Sequence, residues 1–466
     1  MQKSNASAAT DLAAFCLKEN KGTRSMKVLF ISLGCDKNLV DSEVMLGILS
    51  QHGYEFTDDE EQAQAVVINS CCFINDAKEE SINTILAMAE RRKSGQLKAL
   101  LVAGCLAQRY AREIQEEIPE VDAILGTTAI ETVADALHEI IHGQPRNHIE
   151  DINKAPVGGK HRVNTTGGYY AYLKIAEGCN KHCTYCIIPK VRGDYRSIPM
   201  ELLLKEATEL VENGVKELIL VAQETTLYGV DIYGEKSLPK LLRELCKLEG
   251  LRWIRLLYCY PEEITPELIQ TIKEESKICK YLDIPVQSGC DDILKRMGRW
   301  TNTGQIRNLV ATLRKEIPNI CIRTTFITGF PGETEENHED TMRFINEMEF
   351  DQLGVFTYSP EENTPAAEME HQVPEKIKKQ RMEEIMELQQ EIAFEKAEDM
   401  VGETVEAIIE GRMVEDGVYV ARTYKDAPNV DGLLFLSADR EWMSGDFVTA
   451  HITGSNEYDL IGEIVL

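Results

Sequence analysis

The chain has 466 residues, a formal net charge of −28 at pH 7 and thirteen cysteines. This length predicts about three domains, and no apolar run approaches the ~20 residues of a membrane span. The negative charge disfavours broad adhesion to nucleic acid or to anionic membrane, and it suits simple solubility or a basic partner.

Residues 1–25 are polar and lack the basic start and apolar core of a signal peptide. We predict a disordered extension over 1–25, with Met26 as a second candidate start and no role for Cys16. An odd number of cysteines in a long chain without a secretion signal predicts metal binding in a reducing cytoplasm, not disulfides.

Three short apolar runs after residue 26 each end at a cysteine. They are the runs 27–32, 65–70 and 99–104, which lead to Cys35, Cys71 and Cys105. Helical periodicity over 41–52 and 76–93 separates them, which predicts a parallel sheet covered on both faces. Because ligands of such sheets bind beyond the carboxyl ends of the strands, the three cysteines predict a first metal site.

Cys72 adjoins Cys71, and adjacent residues leaving a strand point to opposite sides. We therefore assign Cys71 to the metal site and Cys72 to the core. Each cysteine taken singly would be read as a buried apolar thiol. The equivalent placement of three of them favours a shared role.

Residues 143–164 have no sustained period and are predicted to be a linker. From 165 to 396 about six strand and helix units alternate, which predicts a parallel barrel, open or closed. Its strands are predicted at 169–175, 217–222, 253–257, 281–284, 320–327 and 352–356.

The first of these strands leads into Cys179, Cys183 and Cys186, spaced C-x3-C-x2-C. Thiolates in one short loop suit an iron–sulfur cluster, whereas a structural zinc site normally has four protein ligands. Three thiolates on a four-iron cluster leave one iron open to a small molecule. The alternatives are a zinc knuckle lacking one ligand and three ordinary thiols. We interpret His182 as a loop residue, because ligation by it would close the open iron.

Loops after the later strands carry candidate ligand-binding residues. Glu224 follows the second strand, where a solvated carboxylate is an equal alternative. The strings at 285–289 and 328–334 contain glycines that permit close backbone approach. Three basic residues are candidates for contact with a carboxylate, although solvated side chains are the commoner case; they are Lys190, Arg192 and Arg196.

The remaining cysteines show no ligand spacing; they are Cys246, Cys259, Cys279, Cys290 and Cys321. We assign Cys246 and Cys321 to the core.

The tail begins with an amphipathic helix over 374–398, whose apolar side carries Ile377, Ile385, Leu388 and Ile392. Short strands and turns then predict a small β-barrel over 397–466. From residue 397 there are four basic residues against fifteen Asp or Glu. Since a phosphate-binding surface would be basic, this barrel better suits a basic protein.

Several strings carry a family resemblance: SLGCDKNLVDSE at 32–43, NSCCFI at 69–74, and GCLAQR at 104–109. With the C-x3-C-x2-C motif they resemble the radical S-adenosylmethionine (SAM) methylthiotransferases, over nearly the whole chain from Met26. The first string and DAPNVDG at 426–432 are similar to the branch that modifies an aspartate on a small-subunit ribosomal protein. The chain departs from the usual pattern at Cys72, where glycine is common, and at Ala222-Gln223-Glu224, where Gly-Gly-Glu is common.

The resemblance implies an α/β fold with an N-terminal parallel-sheet domain at 26–142, a partial (β/α)6 radical SAM barrel at 165–396 and a TRAM-like all-β barrel at 397–466. It implies two 4Fe-4S clusters, held by Cys35, Cys71 and Cys105 and by Cys179, Cys183 and Cys186. It implies SAM contacts from Tyr185, Glu224, Gln287, Ser288 and Gly329. We expect no catalytic side-chain acid or base.

The implied reaction adds a methylthio group to the β-carbon of the aspartate. One SAM donates a methyl group to sulfur at the N-terminal cluster, and a second yields the radical that removes the β-hydrogen. We expect a cytoplasmic monomer with an external electron donor and no membrane partner. The alternatives are the same chemistry on a tRNA adenosine, a two-cluster electron carrier or redox sensor, and a zinc-stabilised RNA-binding scaffold.

Overall fold

The computed structural model describes residues 26–413 and 417–465. The predicted extension over 1–25, with Cys16, lies outside these residues. Within them the chain forms, in order, a five-stranded sheet, a six-stranded sheet and a closed five-stranded barrel. This arrangement confirms the predicted α/β fold with an all-β barrel at its end.

The first sheet is parallel throughout, with the strand order β2-β1-β3-β4-β5. Its strands are β1 Lys27–Ser32, β2 Glu55–Phe56, β3 Ala65–Ser70, β4 Ala99–Ala103 and β5 Ala123–Leu125. Every residue of β3 and β4 is buried, because helices cover both faces. This is why both strands appear in the sequence as continuous apolar runs.

The covering helices are α1 Asp36–Gln51, α2 Asn75–Lys93, α3 Gly104–Arg109, α4 Ala111–Glu117 and α5 Val133–Ile141, with a 3-10 turn at Ile130–Thr132. Helices α1 and α5 pack against Val67 and Leu101 on one face of the sheet. Helices α2, α3 and α4 pack against Val66 and Ile68 on the other face. Successive residues of β3 thus serve opposite cores, as the alternation of a strand requires.

The central strands are β6 Tyr170–Lys174, β7 Ala176–Glu177, β8 Arg196–Ser197, β9 Glu217–Val221, β10 Trp253–Leu256, β11 Ile278–Asp283, β12 Cys321–Thr328 and β13 Gln352–Thr357. Strands β7 and β8 form a separate antiparallel pair. The other six form a parallel sheet in the order β13-β12-β11-β10-β9-β6. Since β6 and β13 are its two edges in the described chain, this sheet confirms the predicted partial barrel.

The helices that connect these strands are α6 Ile188–Val191, α7 Met200–Glu212, α8 Val230–Tyr233, α9 Leu238–Cys246, α10 Pro266–Glu274, α11 Asp291–Arg296, α12 Thr303–Glu316 and α13 Glu335–Met348, with 3-10 turns at Pro261–Glu263 and Pro365–Glu368. Between α5 and β6 the described chain has no helix or strand. It is nevertheless packed, because Arg162 is buried and faces Glu43 of α1 and Glu206 of α7.

The tail consists of α14 Glu375–Glu398 and the strands β14 Thr404–Arg412, β15 Tyr419–Thr423, β16 Leu434–Ser437, β17 Phe447–Asn456 and β18 Asp459–Val465. The strands close in the order β14-β15-β16-β18-β17. Helix α14 buries Ile385 and Ile392 as predicted, whereas Ile377 is exposed. The apolar stripe therefore does not extend to the first turn of the helix.

A buried charge cluster joins the barrel to the central sheet. Glu217, the first residue of β9, accepts a hydrogen bond of 2.9 Å from Arg255 of β10 and one of 2.7 Å from Arg422 of β15. All three side chains are at most 1% exposed. Burial by itself raises the pKa of Glu217, but the two guanidinium groups outweigh it and lower the pKa below its ordinary value. The carboxylate therefore stays charged between two arginines.

In the described residues no helix combines the length and the apolar composition that a membrane crossing requires.

Candidate functional site

The three N-terminal cysteines lie at the carboxyl ends of neighbouring strands. Cys35 follows β1 and precedes α1, Cys71 directly follows β3, and Cys105 is the second residue of α3. Strand β4 ends at Ala103, one residue earlier than predicted, because Gly104 is already the first residue of α3. All three pairs of thiols are close enough for their charges to interact.

Two glycines allow these loops to approach one another. Gly34 has a φ of +90°, and a Cβ placed there would lie 2.8 Å from the Sγ of Cys71. Gly104 has a φ of +92°, and a Cβ there would lie 2.4 Å from the carbonyl oxygen of Ser70. Any larger residue would therefore push the cysteine loops apart, which explains glycine next to Cys35 and next to Cys105.

Asn38 ties two of the loops together. Its side-chain amide donates a hydrogen bond of 3.0 Å to the carbonyl of Leu33, before Cys35, and another of 3.0 Å to the carbonyl of Ser70, before Cys71. The side chain is fully buried, so these bonds do not compete with water. The position of the first two thiols is thus fixed by an asparagine that the sequence analysis did not single out.

The structure separates Cys71 from Cys72. Burial, followed by the charges of the neighbouring Cys105 and Cys35, raises the pKa of Cys71 to about 12. Cys72 is completely buried among the apolar residues under α2, such as Ile85. Cys35, Cys71 and Cys105 thus come together at this edge of the sheet. Cys72 packs in the core, where it also lies within electrostatic range of Cys105 and Cys71.

The second set of thiols lies in the loop between β7 and α6. Burial is the main cause that raises the pKa of Cys179 to about 11, and it raises the pKa of Cys186 as well. The charge of Cys183 adds to the rise in both cases. Cys186 is also close enough to Cys179 to feel its charge. Ionising three clustered, buried thiols needs a cation among them, and a metal centre supplies it.

The loop of the second set is fixed by hydrogen bonds to the end of α11. Thr184 donates from its backbone N–H to the carbonyl of Met297 over 2.9 Å and from its hydroxyl to the carbonyl of Arg296 over 2.9 Å. Gly178 has a φ of +77°, and a Cβ there would lie 2.0 Å from the carbonyl of Asp194. His182 is exposed with a φ of +49°, which agrees with its interpretation as a loop residue.

Among the described residues no three Cys, His, Asp or Glu side chains are arranged to hold a single metal ion. An iron–sulfur cluster is a larger body than one ion, and its thiolates bind different irons. The two sets of thiols fit that donor chemistry, in which each set supplies three soft ligands.

Buried polar atoms without partners lie on the loops beside the second set. Glu224 is fully buried; its Oε1 accepts a 2.8 Å bond from the N–H of Thr226, while its Oε2 has no hydrogen-bond partner in the described chain. The Oε1 of Gln287, a residue with a φ of +78°, is likewise unpaired among these residues. Such atoms cost free energy unless a ligand pairs with them. The alternative of a solvated carboxylate at Glu224 is wrong.

Arg299 is a further residue of this site that the sequence analysis missed. It is 8% exposed, donates from Nη2 to the carbonyl of Pro285 over 2.7 Å, and stacks 4.2 Å above the ring of Tyr260. The Tyr260 hydroxyl lies 3.8 Å from the Sγ of Cys183. The Nη1 of Arg299 has no partner in the part of the chain described. The only signal in the sequence was a basic residue after a glycine at a helix end.

The three basic residues that were candidates for contact with a carboxylate of SAM or of the substrate have partners within the protein. Lys190 is exposed and donates to the carbonyl of Asn363. Arg196 donates to the backbone carbonyls of Ile152, Lys154 and Arg192. Arg192 is buried and reaches the N-terminal thiols.

The other residues predicted to contact SAM lie in loops that follow central strands. Tyr185 is half-buried, and its ring meets Phe330 edge-on at 6.5 Å. Ser288 is buried and accepts a 3.2 Å bond from the N–H of Cys290. Gly329 has a φ of +71°, and a Cβ there would lie 2.3 Å from the Cγ of Lys378. The glycine is thus required by a side chain of α14.

Residues 27–126 match the Uncharacterized protein family UPF0004, residues 173–345 the Radical SAM superfamily, and residues 401–465 the TRAM domain. The ribosomal protein uS12 methylthiotransferase RimO of Lachnoclostridium phytofermentans is 60% identical over 437 residues, which cover 94% of this chain and 99% of the relative. RimO of Thermoanaerobacter sp. is 49% identical over 433 residues, 93% of this chain and 98% of the relative.

A solved structure of the radical SAM methyltransferase TsrM from Kitasatospora setae, with cobalamin and a 4Fe-4S cluster bound, superposes with a TM-score of 0.53. It covers 74% of this chain and 77% of TsrM at 15% identity, so it shows a shared fold. The identity to the two RimO proteins extends over nearly their whole length. This chain belongs to the RimO-type radical SAM methylthiotransferases, which are enzymes that use an iron–sulfur cluster and SAM.

Proposed function

We propose that this protein adds a methylthio group to ribosomal protein uS12, at the β-carbon of an aspartate. The observation that carries the proposal is the presence of two separate three-thiol sites in one chain, each at the carboxyl ends of a parallel sheet. A single cluster would leave one set of three thiols without a role. The uS12 substrate is proposed from the names of the relatives.

We assign one 4Fe-4S cluster to Cys35, Cys71 and Cys105 and a second to Cys179, Cys183 and Cys186. When bound, the clusters and SAM supply the sulfur, electron-transfer and radical chemistry that an unactivated C–H bond requires. The protein supplies binding, orientation and exclusion of water. Cys179 and Cys183 are buried, at 6% and 4% exposure, whereas Cys186 is half-buried.

Six residues are proposed to contact SAM beside the second set, and three of them carry unpaired polar atoms in the described chain. The free Oε2 of Glu224 suits the SAM ammonium group, because both are charged when paired. The free Nη1 of Arg299 suits its carboxylate. Gln287 is left to orient the remaining polar atoms, and Tyr185, Ser288 and Gly329 keep their proposed SAM contacts.

The barrel supports a protein substrate over an RNA substrate. Of its four basic residues, Arg422 is buried between Glu217 and Glu410 and cannot meet a phosphate. Arg412 is exposed but lies 3.8 Å from Glu441. A surface with so few free cations gains little from counterion release, whereas it attracts a basic ribosomal protein.

We further propose a division into an N-terminal cluster domain at 26–142, a linker at 143–164, a radical SAM domain at 165–396 and a TRAM-like barrel at 397–466. We also propose a monomer that receives electrons from an external donor. A ribosomal substrate would place the reaction in the cytoplasm.

The substrate is tested by anaerobic incubation of the reconstituted enzyme with SAM, dithionite and either a uS12 loop peptide or an anticodon stem-loop. We expect the peptide to gain one methylthio unit by mass spectrometry and the stem-loop to stay unmodified. A peptide with alanine in place of the aspartate is the control and should not react. Modification of the stem-loop alone would establish the tRNA alternative, and absence of SAM cleavage would favour the electron-carrier alternative.

Replacement of Glu224 by Gln is expected to change SAM affinity and protein stability in opposite directions. Burial raises the pKa of Glu224 from 4.5 to about 7. Without SAM, the protonated side chain therefore contributes its full share to the free energy of unfolding below pH 4.5. This contribution is lost as the pH rises through 7 and the carboxyl ionises. Ionisation then costs about 3 kcal/mol, at 1.36 kcal/mol per pKa unit. We expect Glu224→Gln to raise the urea midpoint at pH 8, to leave it unchanged at pH 4, and to weaken SAM binding at least about tenfold.

The exposed Glu212→Gln is the matched control and should change neither the urea midpoint nor SAM affinity. Equal SAM affinity of Glu224→Gln and the parent in equilibrium dialysis would contradict the assignment of the ammonium group to Glu224.

A further inference from the structure

A buried arginine of the central sheet region reaches a thiol of the N-terminal sheet. Arg192, which follows α6, is 2% exposed, and its Nε lies 3.3 Å from the Sγ of Cys105. Cys105 itself is buried and lies on α3. The two residues are 87 positions apart in sequence, so this contact forms only when the two sheets pack together.

The rest of the guanidinium group is also engaged. Nη1 donates to Asp41 over 2.7 Å and to Glu177 over 3.1 Å, and Nη2 donates to the Oδ1 of Asn38. Asn38 is the residue whose amide already ties the Cys35 and Cys71 loops together. Through Asn38 and directly through Cys105, Arg192 is connected to all three cysteine loops.

Arg192 belongs to a buried cluster of four charged side chains, and Arg196 is also close enough to act on Glu177. Lys174 contacts both Asp41 and Glu177, and all four side chains are at most 8% exposed. Two cations therefore face two anions, and the set is neutral with Arg192 and negative without it.

Only one of the two cations touches sulfur. The described contacts of Lys174 are with the two carboxylates, whereas Arg192 directs an N–H at the Sγ of Cys105. Hydrogen bonds to ligand sulfur and nearby positive charge stabilise the more negative, reduced state of an iron–sulfur cluster. They therefore raise its reduction potential.

We infer that Arg192 is a positioning residue for the N-terminal site, which orients Cys105 and raises the reduction potential of the cluster bound there. The inference rests on the proposed function, in which Cys35, Cys71 and Cys105 hold a cluster. It makes the potential of that cluster depend on a residue of the radical SAM domain. The N-terminal sheet would thus hold its cluster at the normal potential only while docked on the central sheet.

The test uses full-length protein in which Cys179, Cys183 and Cys186 are alanine, so that only the N-terminal site holds iron. After reconstitution, the midpoint potential is measured by an EPR-monitored redox titration. We expect Arg192→Gln to shift the potential to a more negative value, and Arg192→Lys, which keeps the charge, to give a smaller negative shift. Asp41→Asn removes an anion facing Arg192 and should shift the potential in the positive direction.

Arg162→Gln is the matched control, because Arg162 is a second buried arginine facing α1 and α7 whose described contacts include no thiol. It should lower stability without moving the potential. An unchanged potential in both Arg192→Gln and Asp41→Asn, or equal shifts in Arg162→Gln, would overturn the inference and leave the proposed function intact. If Arg192→Gln loses its iron, the Asp41→Asn variant tests the inference alone: a positive shift of the midpoint potential supports it, and no shift or a negative shift overturns it. Absence of iron in the unaltered background would overturn the two-cluster proposal itself.

Discussion

Alanine at Cys179, Cys183 and Cys186 together is expected to abolish both SAM cleavage and methylthio transfer while the protein keeps half of its iron. These thiols lie beside Glu224 and Arg299, which carry unpaired atoms in the described chain. Without these cysteines no cluster is bound next to the proposed SAM site, so no electron can be transferred to SAM. The measurements are iron per protein chain, 5′-deoxyadenosine formed from SAM, and the mass of the uS12 peptide.

Cys246→Ala is the control for this experiment, because Cys246 is a half-buried thiol at the end of α9, outside both sets. It should retain all iron and full activity. Continued formation of 5′-deoxyadenosine by the triple variant would contradict the assignment of these cysteines, and loss of all iron would show that the two sites are not independent.

Alanine at Cys35, Cys71 and Cys105 is expected to have the complementary effect. Methylthio transfer should fall to the detection limit, whereas SAM cleavage should persist, because the second set and its neighbouring polar side chains are untouched. Iron content should again fall by half. The same three measurements distinguish this outcome from general unfolding, in which SAM cleavage would also be lost.

Cys72→Ala is a stringent control, because this residue adjoins Cys71 but packs in the apolar core under α2. It should keep its iron and its transfer activity and lose only about 1 kcal/mol of stability, since one sulfur atom is removed from a packed core. A full complement of iron after loss of Cys35, Cys71 and Cys105, or loss of transfer in Cys72→Ala, would contradict the chosen ligand set.

The sheets could be predicted from the sequence because their strands are buried on both faces. Continuous apolar runs gave the bounds of β1 and β3 as the structure has them. The placement of cysteines after strands also followed, since parallel strands present their carboxyl ends at one edge. The end of β4 was missed by one residue, because Gly104 takes a left-handed conformation that starts α3.

The polar partners of the site could not be predicted, because they depend on packing between distant segments. Arg192 was a candidate for contact with a carboxylate of SAM or substrate, with a solvated side chain as the commoner case, but it is buried and contacts Asn38, 154 positions away in sequence. Arg299 carried no motif at all. For Glu224, a solvated carboxylate was as good a prediction as a ligand contact, because its burial depends on the packing of neighbouring strands. The composition and hydrophobic periodicity of a segment describe that segment alone, and they carry little information on contacts between residues that are far apart in sequence.

The two arginines around Glu217 have a consequence for chimeric proteins. A terminal barrel taken from a different enzyme would have to bring its own cation to the position of Arg422, or it would leave Glu217 with Arg255 alone in a dry interface. Losing one partner of such a buried group costs about 3–5 kcal/mol, a large share of what keeps a domain folded. A chimera with a different terminal barrel should therefore first preserve the contacts of Glu217 with two arginines at the interface. Changes to the outer surface of the barrel, intended to alter substrate choice, should follow.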